Sequence, residues 1–351
     1  MSEPRRYHPL LELTVARAKE FVREPEALFW VFFFPVLLAV ALGLAFREKG
    51  PDKIPVGVVS VSEADAEAAK TAAALAGSPV LLTRRFVAAE GREALRTGRI
   101  SLLVEPGPPV VFRFDETRPD SRIARLEADE ALQRAAGRKD VVPVRSERVT
   151  EKGARYIDFL VPGLLGMNLM GSGIWSLAFS VTSARNRRVL KRLVATPMRK
   201  SHYLLSQILG RLGFLLPEIV ILVGAGWLFF GVAVHGSLLL LFVTSLLGAM
   251  TFCGLGLLIA SRVSTIEGAS GLANLVMLPM WLLSGVFFSS ERFPDAVQPY
   301  INALPLTALN QALRGIITEG RGLAGIAPQL GIVLAWGLVS FIVALKIFKW
   351  R

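Results

Sequence analysis

"SARNRRVLKRLVATPMRKSHYLLSQILGRLGFLLP", Ser183 to Pro217, carries eight Lys or Arg residues before the first acid, Glu218. A basic run of this kind serves nucleic acid, anionic lipid or a partner protein, and its flanks decide between them. A bilayer core of roughly 30 Å needs about 20 apolar residues in a helix. Segments 27–46, 159–182, 212–234, 236–261, 268–288 and 323–345 meet that length, and Glu218 is the sole charge within them up to position 345. The quoted stretch therefore joins a second to a third membrane helix. Composition agrees: the chain of 351 residues is 52% hydrophobic with a mean hydropathy of +0.49, above ordinary soluble domains.

The net charge of +12 then reads as Lys and Arg gathered on one side of a membrane, and nucleic-acid binding is set aside because aromatic stacking platforms are missing. The loop between the second and third spans holds only bases, and Lys346, Lys349 and Arg351 follow the sixth span. Segment 47–158 is nearly balanced, with 20 bases and 18 acids, and 289–322 has three of each. The positive-inside rule places the basic loop and both termini in the cytoplasm and the balanced segments outside. "AVA" at Ala39 to Ala41 has the look of a cleavage site, but the apolar run continues to Phe46 and a charged segment precedes it, so the first span is read as uncleaved.

The expected fold is a polytopic α-helical membrane protein of six transmembrane helices with a small extracytoplasmic α/β domain between the first and second. Residues 1–26 read as a cytoplasmic amphipathic interface helix, with Leu11, Val15, Ala18 and Val22 at helical spacing beside Arg17, Lys19 and Arg23. Residues 27–46 are the first span and 47–158 the outer domain. Residues 159–351 hold the other five spans, a cytoplasmic loop at 183–211 and an outer segment at 289–322. In the outer domain, "IPVGVVSV", "VLLTRRF", "SLLVEP" and "PVVFRFDE" read as strands alternating with helices "EADAEAAKTAAALAG" and "AAEGREALRTGRI", which predicts a mostly parallel sheet. A charged helix, "SRIARLEADEALQRAAGR", follows.

With that topology the quoted stretch resembles the cytoplasmic coupling segment of ABC-2 type exporter permeases: an amphipathic helix, a Thr196-Pro197 break and a helix leading into a span. "LPLTALNQALRGIITEG", from Leu304 to Gly320, resembles the family's outer re-entrant segment, with Pro305, Leu306 and Arg314 as its marked residues. The outer α/β domain is similar to that of its large-loop members. The resemblance covers essentially the whole chain. It implies an exporter subunit that moves an amphipathic, drug-like or lipid-like substrate out of the cytoplasm or inner leaflet, in a bacterial or archaeal inner membrane. It also implies a second permease chain, as homodimer or related heterodimer, and two copies of a cytoplasmic ABC ATPase.

The residues expected to meet that ATPase are Arg187, Arg188, Val189, Leu190, Leu193, Val194, Thr196 and Pro197, an apolar stripe edged with base and ended by a proline. Where the family pattern has acids, this chain has Arg185, Arg187, Arg188 and Lys191, which calls for a partner groove of acidic character. The phosphate loop Gly-x-x-x-x-Gly-Lys-Ser/Thr does not occur, since neither Lys70-Thr71 nor Lys200-Ser201 follows glycine. ATP and Mg are accordingly expected on the partner, with no cofactor, no metal and no catalytic residue in this chain. His8, His202 and His235 are scattered, and Cys253 is single.

Polar residues inside the spans are the remaining candidates for a substrate path: Glu218, Asn168 and Asn274. Glu218 either faces substrate or pairs with a neighbouring base. The small-residue runs "GMNLMGSG" and "GASGLANL" permit close helix approach and mark the second and fifth helices for a dimer seam. Two readings from other classes stand beside the exporter, a membrane scaffold that binds envelope proteins through its outer domain and a secondary transporter. The latter needs repeats and coupling-ion sites that the sequence does not display.

Overall fold

The computed structural model describes residues 8–46, 53–62, 64–139, 155–189, 192 and 200–348. The chain divides into two compact units, residues 48–149 and the remainder. Lys349 and Arg351 lie outside the described residues.

Helix α1 (Pro9–Val22) leads into α2 (Pro25–Ala45). Pro25 stands in the first turn of α2, where its fixed φ suits the helix and its missing N–H is not needed. Within α2 the residues Phe29–Phe33 form one π turn, which shifts the hydrogen-bond register and frees backbone groups for other partners.

The second unit is a four-stranded sheet of β1 (Ile54–Val59), β2 (Leu81–Phe86), β3 (Leu102–Glu105) and β4 (Val111–Phe114) in the order β2-β1-β3-β4. β1 is parallel to both neighbours, and β4 pairs antiparallel with β3. Helices α3 (Ala66–Ala76) and α5 (Pro119–Ala135) pack on one face over Val56, Val58 and Leu102, while α4 (Ala88–Arg96) covers Ile100 and Leu103 on the other. Alternation of side chains along the strands explains that division. Asp65 caps α3 by accepting the Ala68 amide at 3.1 Å, and the same carboxylate accepts the Val61 amide, so its pKa is held below the ordinary value.

The helical unit resumes with α6 (Tyr156–Asn186), α7 (Lys200–Leu212), α8 (Leu215–Phe230), α9 (Leu238–Ala260) and α10 (Ile266–Leu283). It ends with α11 (Gln298–Asn302), α12 (Pro305–Ile317) and α13 (Leu323–Ile347). Six helical stretches are long and apolar enough to cross a bilayer: α2, α6, the α7–α8 pair from His202 to Phe230, α9, α10 and α13. The third therefore starts well before position 212, with a short break at Gly213 and Phe214. α12 has 13 residues, about 20 Å of helix, too short to cross.

α6 and α9 form the centre and are mostly buried, whereas α2, α8, α10 and α13 leave most of their surface exposed. That exposed surface is rich in Leu, Val and Phe, as lipid-facing helices are. In hydrocarbon there is no water to drive helices together, so close packing does the work. At Gly256 a Cβ would lie 2.7 Å from the Ile174 carbonyl oxygen, and at Gly173 one would lie 2.9 Å from the Phe252 Cβ. Two backbones thus meet where a side chain on either would hold them apart.

Candidate functional site

Opposite that seam, α1, α2, α6 and α10 enclose a cleft of about 680 Å³. Its walls are mostly aromatic: Phe21 from α1, Trp30 and Phe34 from α2, Trp175 and Phe179 from α6, and Trp281 from α10. Trp175 and Phe179 stack at 4.7 Å, one helical turn apart. The lining runs from Arg17 and Glu24 at the end that carries α1 to Phe287, just beyond α10.

Polar groups on α6 interrupt this apolar wall. Asn168 donates its Nδ2 to the Val31 carbonyl at 2.9 Å, so the oxygen it satisfies belongs to the π turn of α2. One turn further, Ser172 lines the cleft on one side and touches a buried ion pair on the other. Its hydroxyl accepts from Arg211 Nη2, lies 3.2 Å from Glu218 Oε1 and donates to the Asn168 carbonyl at 2.5 Å.

Arg211 and Glu218 meet at 2.5 Å with side chains 1% and 0% exposed. They straddle the break between α7 and α8, so the pair fixes the angle at which the third span departs. Of the two readings open for Glu218, the structure gives pairing with a neighbouring base, behind the cleft wall. Nε and Nη1 of Arg211 are buried without a hydrogen-bond partner. Such a pair contributes little net stability, but removing one member leaves an uncompensated buried charge.

A second polar group gathers at the far end of α10. Arg314 on α12 donates to the Gly285 carbonyl and, at 3.3 Å, to the Phe159 carbonyl, with its guanidinium 3.6 Å from the centre of the Phe159 ring. No carboxylate pairs with it among the described residues. Asn310 donates to the Ser284 carbonyl at 2.9 Å and Tyr156 to the Phe287 carbonyl at 3.0 Å. Gly285 turns the chain with φ of 68°, and Gly166 faces Asn310 so closely that a Cβ would lie 2.0 Å from its Oδ1. The turn that leads to Phe287 is thus held from three sides. Pro305 and Leu306 begin α12 and are buried against the bundle.

The remaining sequence candidates fall elsewhere. Asn274 is exposed on α10 and is not part of the cleft wall. Arg187, Arg188 and Val189 follow the last turn of α6 and are exposed, with Arg188 in the left-handed region at φ of 56°. Leu190, Leu193, Val194, Thr196 and Pro197 lie outside the described residues. Sequence reasoning missed Ser172, Asn310 and Tyr156. The spacing of Thr307, Asn310 and Arg314 along one helical face was the available signal for Asn310. Among the described residues no group of three His, Cys, Asp or Glu side chains is placed to hold a metal ion.

Residues 25–346 match the family model described as ABC-2 family transporter protein. Over 209 residues the chain is 27% identical to ABC transporter G family member 20 of Dictyostelium discoideum, covering 58% of this chain and 28% of that protein. It is 28% identical over 199 residues to the inner membrane transport permease YadH of Escherichia coli K12, covering 56% of this chain and 75% of the relative. With the linearmycin resistance permease protein LnrN of Bacillus subtilis it shares 27% identity over 177 residues, 49% of this chain and 44% of that one. The chain thus spans about a quarter of the first relative's length and under half of the third's.

Proposed function

This chain belongs to the ABC-2 transporter family, and on that premise we propose that it is the membrane subunit of an ATP-driven exporter whose substrate path is the aromatic cleft between α2, α6 and α10. It is a multi-pass membrane protein, and relatives named as permeases support a transport subunit rather than an enzyme. The substrate class is an amphipathic, drug-like or lipid-like molecule, for which a cleft of aromatic walls and few polar groups is suited. One observation carries the reading: Ser172 belongs both to the cleft wall and to the Arg211–Glu218 junction between α7 and α8.

The direction of drive follows from the topology we assign. With the basic loop 183–211 in the cytoplasm, a separate ABC ATPase, in two copies, docks there and supplies ATP and Mg chemistry. α7 leaves that loop and reaches the ion pair, so a push on α7 arrives at the cleft wall as a displacement of Ser172. The sheet unit and α12 then lie on the outer side, with α12 as a re-entrant helix. Asn274 and the exposed small-residue face of α10 are covered by a second permease chain, because an unpaired amide facing lipid is costly.

The test is to purify the full chain with the ATPase from its native host, reconstitute both in proteoliposomes, and follow movement of an amphipathic fluorescent dye on adding ATP. ATP-dependent movement, lost together with the ATPase when Leu190→Asp and Leu193→Asp are introduced, supports the reading. Failure of the chain to retain any ATPase, with nucleotide present, removes its motor and overturns it.

A further inference from the structure

We propose that the cleft selects lipophilic organic cations over anions of the same size and shape. This rests on the reading of the cleft as the substrate path, and it names the ligand class that the lining chemistry favours.

Charge at the mouth is the first observation. Two ionisable side chains belong to the lining, Arg17 and Glu24. Arg17 is already engaged: its Nη1 meets Glu20 at 2.7 Å, and its Nη2 reaches toward the Ser176 carbonyl at 3.4 Å. Glu24 stands at the N-cap of α2 with no side-chain capping bond and no ion pair among the described residues. The helix start at Pro25 favours its ionised form. The lining therefore offers an incoming molecule one unspent negative charge and no unspent positive one.

The walls act in the same direction. Aromatic faces carry negative quadrupole density and attract organic cations, most strongly where water is excluded. Phe21, Trp30, Phe34, Trp175 and Trp281 surround the volume beyond Glu24. An anion meets both the rings and the carboxylate unfavourably. The third observation is Trp281, whose Nε1–H is buried without an acceptor. An orphaned donor costs free energy that a ligand oxygen recovers, so a cation that also bears an ether, ester or carbonyl group fits best.

The experiment uses the full chain in nanodiscs of zwitterionic lipid, with the signal of protein-free discs subtracted. Tetraphenylphosphonium and tetraphenylborate share size and shape but differ in charge sign. Three of the six tryptophans, Trp30, Trp175 and Trp281, line the cleft, so quenching of indole fluorescence reports occupancy. The expected result is that the phosphonium binds at least tenfold more tightly than the borate. Glu24→Gln, at an exposed position that does not threaten folding, weakens the phosphonium about fivefold, the effect of one screened charge contact. It leaves the borate unchanged or slightly tighter. Equal binding of the two ions, or preference for the borate, overturns the cation inference while leaving the cleft as a binding site. Binding of neither ion, or binding undiminished by Gly171→Phe, which fills the cleft, overturns the inference together with the reading it rests on.

Discussion

The two faces of α6 use the same kind of residue for opposite ends. Gly173 faces α9, where Phe252 and the backbone of Cys253 leave no room for a side chain. Gly171, two positions earlier and so about 200° around the helix, faces the cleft, where a Cβ would meet only the tip of Met277 at 3.7 Å. One face is sealed backbone against backbone, and the other keeps space and polar groups. A small residue in a membrane helix therefore signals close approach or vacancy according to its phase, and the phase is set by which neighbour the helix meets.

That contrast fixes an order of expected effects. Arg211→Met should be the most damaging single change, since it strands Glu218 as a buried, unpaired charge on the sealed side, at a cost of about 3–5 kcal/mol. Combining it with Glu218→Leu should recover most of the loss. Thermal unfolding of the detergent-solubilised protein, monitored by its tryptophans, reads both, and a double variant no better than the single would break the ion-pair account.

Next comes the seam itself. Gly256→Val drives a side chain toward the Ile174 carbonyl and should cost about 1–3 kcal/mol by overpacking. Asn168→Ala removes the hydrogen bond to the π turn and should cost about 1 kcal/mol. Its sharper signature is faster amide exchange near Val31. Gly171→Ala should be the mildest, within about 0.5 kcal/mol. A Gly171→Ala penalty equal to that of Gly256→Val would show that both faces of α6 are packed alike.

Much of this frame was legible in the sequence. Six apolar runs announce six helices because each must satisfy its own backbone in hydrocarbon, and the alternation of short β-rich and Ala-rich stretches announces the sheet unit. Less legible was the destination of each face. "GMNLMGSG" and "GASGLANL" look alike, yet in α6 Gly166 and Gly173 are spent within the chain against Asn310 and Phe252, while Gly271 of α10 meets nothing within 4 Å.

The cleft was hidden for the same reason. It arises from the relative rotation of α2, α6 and α10 and from Phe21 of α1, and no window of one helix encodes that. In α1, Leu11, Val15 and Val22 do point outward, while Phe21 turns the other way to stack on Phe214 at 4.4 Å. The pairing of Arg211 with Glu218 was half legible. Seven residues apart, the two share a face of any helix, and the break at Gly213 and Phe214 decided whether they would still meet.

The account's central claim is that one face of α6 borders the transport path and the other does not. Ser176 lines the cleft and Ala178, two positions on, is fully buried toward the other side. The direct measurement places Ser176→Cys and Ala178→Cys singly in the full chain, treats membranes with a permeant maleimide, and follows ATP-driven transport by the complex. Rapid labelling at position 176 that halts transport, with position 178 and the buried native Cys253 unreactive, is the predicted result. Labelling at 176 that leaves transport intact, or equal labelling at 176 and 178, would contradict it.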